Sequence, residues 1–290
     1  MSDVRLGVLL WSQASDWRAV EAAARRVDEL GYDSLWTWDH LYAIFGDPYQ
    51  PIVEGWTSLA AWAMATDQTR LGLLVGANTF RNPGLTAKMA ETLDHISDGR
   101  AILGVGGAWF ELEHRAHGID FGSGFGQRLD WLDEAVGAMR GVLDGRSATS
   151  EPGAHYAFDD LRHDPLPVQK RLPIMIGGSG EKKTLRTVAK YADMWNAMGS
   201  VEKMRHKIDV LREHCAEYFD LDCDSPYMLL VAPVRDELRM PMPEGTEAFD
   251  PHPMLPNRAF ETDAMERRGP CRIGLRRPAG TARPAEVVAS

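Results

Sequence analysis

Short runs of consecutive apolar residues alternate along the chain with longer stretches whose apolar positions recur every three or four residues. The short runs are residues 4–10, 34–38, 70–76, 101–106, 173–177 and 194–198. They are apolar toward both faces, as strands covered on both sides of a parallel sheet must be. Between them, residues 16–30 place Val20, Ala24, Val27 and Leu30 on one helical stripe that stops at Gly31, a left-handed cap. Residues 83–97 carry Leu85, Met89, Leu93 and Ile96 behind Pro83, a favoured first-turn residue. Residues 127–143 carry Leu129, Leu132, Val136, Met139 and Leu143, and residues 184–191 and 201–218 complete the helical set.

Strand and helix in alternation predict an α/β fold with a parallel sheet. An open dinucleotide-binding sheet would want G-x-G-x-x-G after its first strand. The first strand instead runs into Leu10-Trp11-Ser12-Gln13-Ala14. A length of 290 residues suits a (β/α)8 TIM barrel, which typically takes about 250. Arg5-Leu6-Gly7-Val8-Leu9 and Arg70-Leu71-Gly72-Leu73-Leu74 read either as one unit used twice or as chance likeness of two apolar strands. Residues 110–172, with a polar stretch over 145–170, are too long for one crossover and are expected to form an insertion after the fourth strand. Residues 1–218 are read as the barrel. Residues 219–290 are an atypical Pro/Arg-rich C-terminal region. Clusters such as Pro241-Met242-Pro243 break helices and central strands, so this region is expected to supply no good closing strand and helix. It is either disordered or translated in an altered reading frame.

The composition is that of an ordinary globular chain, with 44% apolar and 26% charged residues. A net charge of −10 repels nucleic-acid backbones and anionic lipid, which speaks against both as partners. Cys215, Cys223 and Cys271 show no C-x-x-C spacing, so neither a disulfide framework nor a zinc site is expected. The first ten residues lack a basic n-region and no run of 18 apolar residues occurs, which predicts a cytoplasmic protein off the membrane.

In a parallel barrel the chemistry sits on the loops that follow the strands. Those loops hold Trp11, then Trp38-Asp39-His40, Gly76-Ala77-Asn78-Thr79, Gly107-Ala108-Trp109, Gly177-Gly178-Ser179-Gly180 and Trp195-Asn196. Tryptophans gathered at one rim make a flat apolar wall that suits a planar ring, or they simply fill the barrel mouth. The glycine turn leads into a helix, so its N–H groups can point outward together and bind phosphate. The alternative is a tight turn capped by Ser179. His40 can hold or accept a proton near neutrality; otherwise Asp39 is a helix cap and His40 a half-buried surface residue. Glu111, Glu113, His114 and His117 lack the H-E-x-x-H spacing and are read as an exposed polar helix face, with no metal.

Arg70-Leu71-Gly72-Leu73-Leu74-Val75, Asn78-Thr79-Phe80-Arg81-Asn82-Pro83 and Leu93-Asp94-His95-Ile96-Ser97-Asp98-Gly99-Arg100 recur with a familiar order and spacing. Gly104-Val105-Gly106-Gly107-Ala108-Trp109-Phe110-Glu111 and Tyr191-Ala192-Asp193-Met194-Trp195-Asn196 extend the pattern. Over about residues 4–217 the chain resembles the bacterial luciferase-like monooxygenase superfamily, most of all its coenzyme F420-dependent oxidoreductase branch. The resemblance implies a (β/α)8 barrel with a flavin or deazaflavin across its mouth. It implies a non-proline cis peptide at Leu74-Val75, just before Gly76, backing the ring. Gly177, Gly178, Ser179 and Gly180 would hold the phosphate, and Asp39 and His40 would contact the ring, with His40 handling a proton. Gly107 and Trp195 complete the cofactor set, and Trp11, Trp38 and Trp109 would wall the substrate side. A glutamate that sugar-phosphate dehydrogenase members carry after the fourth strand falls near Trp109, so oxidation of a sugar phosphate is not implied.

The leading expectation is hydride transfer between coenzyme F420 and a small organic substrate. The alternatives are an FMN-dependent monooxygenase fed by a separate flavin reductase, and a non-catalytic or defective homologue. The resemblance also implies a homodimer.

Overall fold

A computed structural model of the protein describes residues 5–218, 227–232 and 286–289, the last two stretches as backbone only. The strands are β1 (Arg5–Leu9), β2 (Ser34–Thr37), β3 (Arg70–Leu73), β4 (Gly76–Ala77), β5 (Ala101–Gly106), β6 (Ile174–Gly177), β7 (Met194–Ala197), β8 (Tyr227–Ala232) and β9 (Glu286–Ala289). The helices are α1 (Trp17–Glu29), α2 (Gly55–Ala65), α3 (Pro83–Ile96), α4 (Glu111–His117), α5 (Phe125–Leu143), α6 (Thr184–Tyr191) and α7 (Val201–Tyr218). A 3-10 turn spans Asn78–Phe80.

The strands pair in the order β3-β2-β1-β9-β8-β7-β6-β5-β4, and β3 also pairs with β5, so the sheet closes on itself. Every pairing is parallel. β3 and β4 are two halves of one stave, parted by Leu74 and Val75, whose peptide bond is cis as the resemblance implied. The result is a parallel barrel ringed by helices.

Two apolar layers hold it together. Inside the ring, Trp36, Ile102, Met175 and Met194 pack with Leu9, Leu74 and Val75. Trp36 fits because its neighbours have no side chains: a Cβ on Gly72 would lie 2.7 Å from the indole, and one on Gly7 2.9 Å from its Nε1. Between ring and helices lies the larger layer, with Val20, Leu59, Trp62, Leu93, Leu132 and Val188 facing Leu35, Leu71, Leu103 and Ile174. The alternation in β2, Leu35 outward and Trp36 inward, follows from the two-residue repeat of a strand.

Two expectations change and one holds. Helix α2 was not predicted, because Trp56, Leu59, Ala60, Trp62, Ala63 and Met64 leave it apolar on nearly every side, with no stripe to read. The connection between β5 and β6 does hold an insertion, whose polar part is pinned by the antiparallel bridge Ala148–Leu161. The C-terminal region, expected to supply no good closing strand, contributes β8 beside β7 and β9 between β8 and β1. A ladder slot between two existing strands needs only a few extended residues, and Glu286-Val287-Val288-Ala289 has β-branched residues for it. The proposed division at residue 218 otherwise falls on residues outside the described ones.

Candidate functional site

Parallel strands deliver all their following loops to one end of the ring. The innermost feature there is Val75. Its methyl carbons lie 2.6 Å from where a Cβ on Gly177 would sit and 2.9 Å from one on Gly106. Glycine at both positions therefore lets the Val75 side chain pack against the ends of β5 and β6. Leu74 donates its N–H to the Thr37 carbonyl at 2.7 Å, which fixes the bulge against β2.

Asp39 follows β2 and is buried. Both its oxygens take the Arg81 guanidinium, at 2.7 and 2.9 Å, and Oδ2 also accepts the Ala77 N–H at 3.0 Å. Arg81 is held in turn by Glu54 at 2.7 Å. Burial disfavours the Arg81 charge, but Asp39 and Glu54 outweigh it and hold its pKa above the ordinary guanidinium value. Burial pushes the Asp39 carboxyl up, and Arg81 and the Ala77 amide offset only part of that. Asp39 is thus no helix cap; residues 38–54 contain no helix, and Glu54 caps α2 by accepting the Trp56 and Thr57 N–H groups. A carboxylate offers about four lone-pair sites, so Asp39 retains room for one further donor.

His40 stands in an aromatic box, edge-on to Trp38 at 5.7 Å, Trp109 at 5.5 Å and Phe110 at 5.9 Å between ring centres. Its Nδ1 is 3.0 Å from Glu113 Oε1. Glu113 Oε2 accepts the Leu41 N–H at 2.8 Å. Glu113 and its neighbour His114 are buried, so the reading of α4 as an exposed polar face is corrected for these two. His114 donates from Nδ1 to the Phe110 carbonyl at 2.8 Å, leaving Nε2 to accept the Thr79 hydroxyl at 2.6 Å. Burial lowers its pKa, so it stays neutral at pH 7. No group of three or more metal-ligating side chains occurs among the described residues.

The three predicted substrate-wall tryptophans do gather, with different exposure. Trp11 stacks on Trp38 at 5.2 Å and on Phe45 at 5.1 Å. Trp38 is buried and donates to Ser12 Oγ at 3.0 Å, so it backs the wall, whereas Trp109 is 59% exposed. Phe45 lies in an irregular loop and carried no periodic signal. Trp195 is fully buried among the outer-layer residues, and its Nε1 donates to the Gly178 carbonyl at 2.7 Å. Its part in the glycine turn is therefore indirect. Gly178 has φ +123°, which favours glycine, and gives its N–H to the Asn196 carbonyl at 2.9 Å. Gly107 accepts Arg128 Nε at 3.2 Å. A cavity of about 220 Å³ lies beside the mouth, between Thr79, Arg81, Trp131, His155 and Tyr156. It belongs to the seam between the loop after β4, α5 and the insertion, and not to the strand ends where the bulge and glycine turn meet.

Sequence reasoning missed Arg81 and Glu54, and it placed Glu113 on an exposed face. Arg81 stood inside the Asn78–Pro83 motif with no role assigned, and a buried arginine shared by two acids has no periodic signature.

Comparison with known proteins agrees with this architecture. A family model described as luciferase-like monooxygenase matches residues 4–288. The chain is 27% identical over 208 residues to a putative coenzyme F420-dependent oxidoreductase, Rv3520c, of Mycobacterium tuberculosis, covering 66% of this chain and 54% of that one. It is 32% identical over 142 residues to the pyrimidine monooxygenase RutA of Serratia proteamaculans, covering 49% and 38%. Among solved structures, an F420-dependent secondary alcohol dehydrogenase in complex with an F420-acetone adduct superposes with a TM-score of 0.70 at 21% identity, covering 80% of this chain and 69% of that chain. The matched stretches thus span about half or less of the length of these two curated relatives, 54% and 38%. No helix among the described residues is long and apolar enough to cross a membrane.

Proposed function

Because the chain belongs to the luciferase-like monooxygenase family, whose model covers nearly its whole length, we propose that it is an F420-dependent oxidoreductase moving a hydride to or from a small organic substrate. The observation behind this reading is the bulge of Leu74, Val75 and Gly76 packed against Gly106 and Gly177 beside a glycine turn, with Asp39 bound to Ala77 at its end. That cradle fits a planar tricycle with a phosphorylated arm. Val75 lies where side chains on Gly106 or Gly177 would otherwise stand, so a ring there would meet an apolar side chain. When bound, the deazaflavin supplies the hydride chemistry.

The chain's own residues would do the rest. Asp39 would accept a ring N–H with its remaining lone pair, and Arg81 keeps that carboxylate oriented. His40 would hold or accept a proton at Nε2. Trp11 and Trp109, with Trp38 behind them, exclude water from the substrate side. The N–H of Gly178 is engaged by Asn196, so a grip on the phosphate would fall to the amides of Ser179 and Gly180.

The RutA match favours a second reading, an oxygenase that works with reduced FMN from a separate reductase. Titrating the purified full chain with F420 and with FMN, by quenching of cofactor fluorescence, separates the two. Saturable F420 binding with FMN at least about tenfold weaker is expected. FMN binding without F420 binding selects the oxygenase, and binding of neither selects a non-catalytic homologue.

A further inference from the structure

We infer that Glu113 is a positioning residue that fixes the tautomer of His40, so that its Nε2 presents a lone pair to the barrel mouth. The inference deepens the role proposed above for His40. Three facts carry it. Glu113 is buried, with its side chain 2% exposed, so water does not compete for its oxygens. Oε2 accepts the Leu41 N–H at 2.8 Å and lies 3.5 Å from the Tyr42 nitrogen. A backbone amide can only donate, which fixes that oxygen as an acceptor. Oε1 then faces His40 Nδ1 at 3.0 Å, and an ionised carboxylate is acceptor-only, so the proton resides on Nδ1. In the neutral imidazole the second nitrogen is left as the acceptor.

The neighbouring histidine shows the contrast. His114 has both nitrogens engaged, by the Phe110 carbonyl and the Thr79 hydroxyl, and is fully buried. For His40, no described residue hydrogen-bonds Nε2, and the ring keeps 14% of its side-chain surface exposed. Glu113 reaches it from α4, beyond β5, across the β3/β4 stave. The loop after one strand is thereby set by the loop after another.

The test is long-range 15N–1H NMR on uniformly 15N-labelled full chain at pH 8 without cofactor, with His40 assigned through the signal lost in His40→Gln. Wild type is expected to show a pyrrole-type Nδ1 and a pyridine-type Nε2, with the Nδ1–H form favoured at least about tenfold, as a charge-assisted hydrogen bond allows. In Glu113→Gln the amide oxygen is needed by the Leu41 and Tyr42 N–H groups. The NH2 then faces Nδ1, and the tautomer should invert to Nε2–H. In Glu113→Ala the preference should fall to within about threefold. A structural role alone would leave the tautomer unmoved. An Nε2–H form in wild type, or an unchanged Nδ1–H form in a folded Glu113→Gln, overturns the inference. The wild-type spectrum decides it even where a variant fails to fold. Because the tautomer is read without cofactor, its failure is distinct from failure of the F420 titration.

Discussion

Asp28 and His40 show how a titratable side chain serves either stability or the site. Asp28, at the end of α1, accepts the N–H groups of Asp67, Gln68 and Thr69 at 2.9, 3.0 and 2.8 Å, and the Thr69 hydroxyl at 2.8 Å. Burial pushes its carboxyl up, but these donors outweigh it and hold the pKa below its ordinary value. Stability from a depressed carboxyl is present above the unfolded pKa and is lost as pH falls through the folded one. Wild-type urea midpoints should therefore drop below about pH 4, near the unfolded Asp value. Asp28→Asn should lose about 1–2 kcal/mol at pH 7 and show a shallower acid fall, measured by urea unfolding at pH 7 and pH 3. An equal acid fall in both proteins would remove Asp28 as its source. His40 belongs to the site instead. His40→Ala should weaken cofactor binding by about threefold or less while turnover falls more than about tenfold, the low end for lost acid–base assistance. Steady-state kinetics on any accepted substrate checks this, and unchanged turnover would take His40 off the catalytic list.

At the scale of elements, glycines mark where strands crowd. A Cβ on Gly104 would sit 1.9 Å from the Leu73 carbonyl oxygen, a backbone atom of the stave that closes the ring. Gly104→Ala should cost about 1–3 kcal/mol or more by overpacking. Gly141, inside α5, has nothing within 4 Å of its missing Cβ, and Gly141→Ala should gain about 0.5–1 kcal/mol. Thermal unfolding of both variants checks the pair, and equal losses would contradict the crowding account. The strands around these glycines were legible because double-sided burial forces apolar runs such as Ala101–Gly106. Helices α1 and α5 were legible through their stripes, whereas the stripe read for α3 was misplaced: Leu85 and Ile96 are exposed, and Ala87, Ala90 and Leu93 form the buried face. Helix α2 was not, since an all-apolar helix has no period. The break between β3 and β4 was legible only through resemblance, because Leu74-Val75 reads as uninterrupted strand. The Asp39, His40 and glycine-turn residues announced themselves by type and place. Arg81 and Glu113 did not, because what defines them is partners 42 and 73 positions away.

The whole molecule brings an acidic surface, with net charge −10, to the proposed task of holding an anionic, phosphorylated cofactor. Long-range charge does not assist that, so affinity must come from short-range donors at the mouth. Loop amides presented by a rigid ring are such donors, and closure of the parallel barrel brings the turn after β6 to the same end as the bulge and the imidazole. The most direct test is cofactor affinity in Ser179→Glu, which adds a negative charge at a half-exposed position of the turn without burdening the positive-φ glycine beside it. With circular dichroism showing an unchanged fold, F420 affinity should fall at least about tenfold from like charge beside the phosphate. Undiminished affinity in that variant would contradict the placement of the cofactor across the barrel mouth.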